Sequence, residues 1–200
     1  NEKIIEFTVG DDRLNDLYLI KYDLKASISH AKMLYKSNLL SEIECDRIIN
    51  ILNEMLIEAE SGELKIEKEF EDMHSKIEYT LISRLGDIGK KIHTARSRND
   101  QVLVSIQLYL IDELNNIKTE VKSLFDLLIK LANKNKDIIM PGYTHMKAAM
   151  PSSFGLWFSA YAETLIDDII SLNSSIEIVN QNTLGSAAGY GTSFNIDRDF

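Results

Sequence analysis

Proline and cysteine are nearly absent from this sequence, and glycine is sparse. Two prolines and nine glycines in 200 residues leave few breaks in the chain, so long helices are expected rather than many short strands. The one cysteine, Cys45, cannot close an internal disulfide. That excludes a disulfide-stapled fold and fits a reducing, cytoplasmic setting. Cys45 falls on the apolar stripe of a predicted helix, where a thiol acts as a small hydrophobe. No run of about 18 apolar residues occurs, so no membrane-spanning helix is expected. The most apolar stretch, from Phe154 to Ile166, is interrupted by Glu163. No basic-then-apolar leader pattern opens the chain. Positive charge is also scarce. The 22 basic residues against 31 acidic ones give a net charge of -9, which argues against a general nucleic-acid binder.

What is present suits a folded domain. Hydrophobic residues make up 44% and charged residues 26%, enough apolar material for a core and too little charge for a disordered chain. The chain begins at Asn1 rather than methionine, which leads us to expect a fragment. Residues 1–22 show weak periodicity and read as a tail plus a short element. Asp23 reads as an N-cap, followed by Leu24, Ile28, Ala31 and Tyr35 at helical spacing. Ser41 and Glu44 have the pattern of a capping box. The helix they open carries Cys45, Ile48, Leu52, Met55, Leu56 and Ala59 on one face, with Gly62 as its stop. A third helix is expected from about Glu71 to Leu85, ended by Gly86.

The most regular stretch follows. Leu103, Ile106, Leu110, Leu114, Ile117, Val121, Leu124, Leu128 and Leu131 are spaced by about 3.5 residues, the repeat that keeps one seam facing a partner helix. A second seam runs through Phe158, Tyr161, Leu165, Ile169, Leu172, Ile176 and Val179, with Gly185 as its expected end. Pro141, Gly142 and Pro151 separate the two, and the short connection predicts antiparallel neighbours. No alternating strand pattern is evident. The fold class expected is all-α: a small N-terminal helical domain over 1–94, then the long antiparallel helices of a truncated bundle over 95–200. Two helices alone do not bury such seams, so other chains or further sequence should supply the rest.

Polar residues at helix breaks escape the core pattern and are the places to look for chemistry. Lys90, Lys91, Arg96 and Arg98 lie within nine residues, just before a long helix whose N-terminus exposes N–H groups and positive dipole. Two readings are open. One is a site for carboxylate or phosphate, with Ser97 and Asn99 adding neutral donors. The other is a solvated basic loop capped by Ser97 or Asp100. His145, between the long helices, can act as an acid or base near neutrality, or be structural. The stretch from Gly185 to Phe194 fits neither dinucleotide nor P-loop spacing and reads as a close-packed turn. His74, between Glu71 and Glu78, could belong to a metal site but reads better as part of a surface ion-pair ladder.

Five segments together are distinctive. HTARSRNDQ closely resembles the HTGRSRNDQ segment of argininosuccinate lyases, and PGYTHMKAAMPSSFG resembles their PGYTHLQ-containing segment. YDLKASISHAKML, EDMHSKIE and LGSAAGYGTSFNIDR also match, in family order, from about Tyr22 to Arg198. The resemblance implies the fumarase/aspartase superfamily fold and reversible cleavage of argininosuccinate to arginine and fumarate. It implies that Ser27, Asn99 and Thr144 bind substrate and that His145 is the acid-base histidine. Arg96, Ser97 and Arg98 match the anion segment, and His74 a histidine of the first active-site region. No metal or organic cofactor is implied. The implied assembly is a cytoplasmic homotetramer with sites shared between subunits, acting on small molecules, not nucleic acid or membrane. A sister lyase acting on adenylosuccinate and a non-catalytic, crystallin-like relative are the alternatives.

There are departures from the family pattern. Ala26 and Ala95 replace glycines, Lys147 and Ala148 replace Gln-Arg, and Thr183 and Asn195 stand where proline is common. The family's mobile loop, with its catalytic serine and lysine, falls after Phe200, so the chain by itself is expected to lack a complete active site.

Overall fold

A computed structural model describes residues 2–200. Their order is α1 (Glu2–Val9), α2 (Asp12–Lys36), α3 (Glu42–Ser61), α4 (Met73–Leu85), α5 (Asp87–Lys90), a 3-10 turn (Lys91–His93), α6 (Arg98–Lys134), β1 (Ile139–Thr144), β2 (Lys147–Ser153) and α7 (Phe154–Val179). The all-α expectation holds, apart from one two-stranded sheet. No helix among the described residues is long and apolar enough to cross a membrane. The chain divides into two compact units, one reaching Tyr109 and taking in Asn182–Phe200, the other Leu110–Gln181.

The core of the first unit lies where α2, α3 and α4 meet. Leu24, Ala31 and Leu34 of α2, Ile48 and Leu52 of α3, and Ile77 and Leu81 of α4 are all fully buried there. Cys45 joins them, its thiol donating to the Ala31 carbonyl at 3.5 Å. The capping box at α3 forms as the sequence implies. Ser41 Oγ accepts the Glu44 N–H, and the Glu44 carboxylate accepts the Ser41 N–H at 2.9 Å. Gly62 ends the helix at φ 76°, a left-handed turn that costs a residue with a Cβ more than it costs glycine. Asp72, not Glu71, opens α4 by accepting the Ser75 N–H at 2.7 Å.

Three expectations need correction. Residues 2–22 are not a tail plus a short element, because α1 covers Glu2–Val9 and α2 begins at Asp12 and runs unbroken through Asp23. Asp23 is therefore no cap; it lies mid-helix and fully buried. The second long helix ends at Val179, well before Gly185, with Asn180 as its C-cap.

In the second unit, α6 and α7 run antiparallel, as expected. Lys118 Nζ meets Asn173 Oδ1 at 2.7 Å, and a Cβ built on Gly155 would lie 2.6 Å from the Lys136 α-carbon; the pairs 118 with 173 and 136 with 155 advance in opposite directions. The link between them is a β-hairpin where no strand is expected from sequence. Ile139 pairs with Ser153 and Pro141 with Pro151, the register shifts beyond Pro141, and Thr144 pairs with Lys147. Both strands are edges and largely exposed, so proline costs no inner ladder bond there and no apolar alternation marks them. Long apolar side chains stay uncovered along this unit, among them Ile117, Leu124, Trp157, Ile166 and Ile170.

Gly89 is where α5 passes over α4. A Cβ built there would lie 2.4 Å from the Leu81 carbonyl oxygen. Gly89→Ala is therefore expected to cost about 1–3 kcal/mol, read as a lower urea midpoint with unchanged slope. Gly62→Ala, whose methyl meets nothing within 4 Å, is expected to lose only the strain of its positive φ, about 1 kcal/mol.

Candidate anion site and hairpin turn

Asp23, Ser27 and His30 lie at spacings of four and three on α2, which places them on one face of the helix. All three are buried. The Asp23 carboxylate is the centre of a network that reaches α4 and α6. Its Oδ2 accepts from His74 Nδ1 at 2.9 Å. Gln101 Nε2 donates to both oxygens, at 2.8 and 3.0 Å. Ser27 Oγ approaches Oδ1 at 3.5 Å and accepts from Arg96 Nη1 at 2.8 Å. His74 is thus buried on Asp23, and Glu78 is taken up by His93 at 3.1 Å. The ion-pair ladder expected around His74 does not form, because burial turns its ring onto Asp23 and away from Glu71 and Glu78.

The basic run separates into paired and unpaired cations. Lys90 meets Asp87, Lys91 meets Glu44, and Arg98 binds Asp72 at 2.5 Å with Glu78 at 3.8 Å. Lys91 and the Ser41 N–H hold the Glu44 carboxyl down at about 2. Arg96 is different. It is 5% exposed, and its Nε and Nη2 have no partner among the described residues. Burial pushes its pKa down, opposed by the carboxylates of Asp23, Glu78 and Asp100. A buried guanidinium with an open edge is costly unless something anionic meets it.

The segment leading to Arg96 is held under tension. Ala95 has φ 55°, a left-handed conformation unfavourable for a residue with a Cβ. Ala26, the other family glycine replaced, sits in regular helix and carries no such strain. His30 Nε2 donates to the Thr94 carbonyl at 3.0 Å, since a carbonyl can only accept. Burial, then the Arg96 charge, lowers the His30 pKa to about 4. At the start of α6, Ser97 Oγ accepts the Asn99 N–H at 3.3 Å, and Asp100 Oδ1 accepts the Ser97 N–H at 2.8 Å. Asp100 Oδ2 also accepts the Ala187 N–H at 2.9 Å, which ties the returning chain to this helix start. The Asn99 side chain is exposed.

Thr144 and His145 lie in the second unit. His145 and Met146 are the two turn residues of the hairpin, at φ 49° and 65°. Two central residues with positive φ mark a type I′ turn, which normally takes Asn-Gly. His145 is exposed, and Met146 is 97% exposed. Ser27, His74 and Arg96 are therefore joined in one network. Ser97, Arg98 and Asn99 stand beside it at the head of α6. Sequence reasoning missed Asp23, Gln101 and the clamp by His30. The available signal was that 23, 27 and 30 share one side of the helix with the apolar Ile20, Leu24, Ala31 and Leu34.

The scaffold is helical, and its buried Arg96 guanidinium leaves Nε and Nη2 without a hydrogen-bond partner among the described residues. A sequence profile of the family described as Lyase matches residues 8–200. The chain belongs to that lyase family, within the fumarase/aspartase superfamily. It is 51% identical over 199 residues to an argininosuccinate lyase of Phocaeicola vulgatus, covering 100% of the chain and 45% of the relative. It is 44% identical over 200 residues to an argininosuccinate lyase of Thermotoga neapolitana, covering 100% of the chain and 50% of the relative. The chain thus spans about half the length of these curated relatives. Among solved structures it is similar to an EDDS lyase variant with bound fumarate, at TM-score 0.81 and 25% identity, covering 91% of the chain and 35% of the other. A class II fumarase from Schistosoma mansoni shares the fold at TM-score 0.74 and 20% identity, covering 90% of the chain and 41% of the other.

Two outcomes follow from the strained loop and its clamp. Ala95→Gly is expected to raise stability by about 0.5–1 kcal/mol, because relief of the left-handed strain exceeds the added chain entropy; equilibrium unfolding measures this. His30 has a folded pKa of about 4, below the ordinary value of about 6.5. Between these values the unfolded chain binds the extra proton, so stability falls as pH drops from about 6.5 to about 4, by up to about 3 kcal/mol. His30→Gln, which keeps a donor for Thr94 but does not titrate, should flatten that part of the stability–pH curve.

Proposed function

We propose that this chain is part of an argininosuccinate lyase, cleaving argininosuccinate to arginine and fumarate. The observation that carries the reading is the buried Nε/Nη2 edge of Arg96, which has no hydrogen-bond partner among the described residues. That edge is the one that grips a carboxylate through two parallel hydrogen bonds. Identities of 51% and 44% to named argininosuccinate lyases across the chain support the same reaction. They weigh against the adenylosuccinate and crystallin-like alternatives.

In this reading a base takes the proton from the carbon next to a substrate carboxylate. The electron pair moves into that carboxylate, then forms the double bond of fumarate as the C–N bond breaks. The guanidino nitrogen leaves with the bonding pair and takes up a proton. The intermediate carries extra negative charge, so fixed donors and cations lower the barrier most. Arg96 serves that role, with Ser27, His74, Ser97, Arg98, Asn99 and Thr144 holding substrate. Arg98 shares its charge with Asp72 and Glu78, which leaves Arg96 the less compensated cation. His145 is the acid-base group. Its strained turn supports this, since left-handed non-glycine residues cluster at functional sites. No cofactor or metal enters these steps.

The same reading makes the complete protein a cytoplasmic homotetramer of arginine biosynthesis, with an N-terminal domain over 1–94 and a bundle domain from 95 onward. The apolar side chains left uncovered on α6 and α7 support assembly, because such seams are normally buried against other helices. The test is fumarate release by the complete gene product, followed by absorbance. Release from argininosuccinate and not from adenylosuccinate is expected; the opposite pattern, or no release, overturns the reading. His145→Asn is expected to lower turnover by about 10²-fold or more, and unchanged turnover removes His145 from the acid-base role.

A further inference from the structure

We propose that Asp23 is a positioning residue that fixes His74 as the Nδ1–H tautomer and, through Ser27, aims the Arg96 guanidinium. The inference rests on the lyase reading for its effect on turnover, but its structural core stands apart from it. A carboxylate that accepts on both oxygens has no proton to give. The ring nitrogen facing it, His74 Nδ1 at 2.9 Å, must therefore carry the hydrogen, and the neutral ring keeps its lone pair on Nε2. The burial of both partners, at 0% for Asp23 and 2% for His74, keeps water from offering either nitrogen a competing partner.

Gln101 restricts the carboxylate in turn. Its Nε2 bridges both Asp23 oxygens at 2.8 and 3.0 Å, which sets the plane of the carboxylate and decides the amide's orientation. Gln101 Oε1 is left without a partner, as expected if its amide were committed to Asp23. The second branch runs through Ser27. Its hydroxyl hydrogen goes to Asp23 at 3.5 Å, so its lone pairs face Arg96, whose Nη1 it accepts at 2.8 Å. That contact uses Nη1 and leaves the Nε/Nη2 edge open. One carboxylate thus determines which group on His74 is the acceptor and which edge of Arg96 is free. Three helices contribute to it, α2, α4 and α6.

The test begins with ¹⁵N spectra of the histidine-labelled complete gene product. The expected signature is a hydrogen on Nδ1 and a bare Nε2. A His74 ring that keeps a hydrogen on Nε2 at every pH overturns the proposal without any variant being made. Asp23→Asn can donate as well as accept, so a mixture of tautomers is expected, with kcat for argininosuccinate reduced at least tenfold and KM changed much less. An unchanged tautomer and kcat in Asp23→Asn overturns it. Ser27→Ala separates the branches: it should leave the His74 signature intact while raising KM several-fold, and an altered His74 signature there counts against the division of roles. If the wild-type protein releases no fumarate, the lyase reading fails while the tautomer still decides the proposal's core.

Discussion

The Asp23 carboxylate has no exposed surface, and a carboxylate placed there must be met by donors on both oxygens or its burial would cost several kcal/mol. Those donors come from three helices. His74 arrives from α4, Gln101 from α6, and Ser27 from the next turn of α2 itself. Meeting that one demand sets how α4 and the head of α6 dock on α2. An apolar residue at the same position would allow these helices to slide, since hydrophobic contacts are not directional. The hydrogen bonds allow one arrangement, and that arrangement leaves Arg96 buried with one edge unmet.

Left-handed backbone at residues with a Cβ occurs at Asn38, Ala187 and Tyr190 and in both segments proposed for the chemistry. Ala95 precedes the open guanidinium, and His145 and Met146 form the hairpin turn, all at positive φ. Each conformation costs free energy that surrounding contacts must offset. His30, holding the Thr94 carbonyl, supplies one such contact. The Thr144–Lys147 pairing across the hairpin supplies another.

Much of the fold was legible because it depends on local pattern. The 3.5-residue seams, the Ser41–Glu44 capping box and the Gly62 stop each follow from spacing and backbone preference. The hairpin was not legible. Its two strands are exposed edges, so they carry no alternation, and their prolines look like loop signals. Asp23 was misread as a cap because an acid before an apolar stripe has the same local look whether it starts a helix or lies inside one. The basic run from Lys90 to Arg98 looked like a single island. Its lysines and Arg98 are in fact neutralised by Asp87, Glu44 and Asp72, partners as far away as 47 residues in the chain.

By itself, then, the amino-acid sequence determined the helical class, the ends of α3 and α4, and the family, because periodicity, capping chemistry and short motifs are written in neighbouring residues. Only the tertiary structure decided which cation is unpaired, which histidine is buried on a carboxylate, and which of the two glycine replacements is strained. Those properties depend on burial and on partners brought together from distant parts of the chain, and no local pattern encodes them.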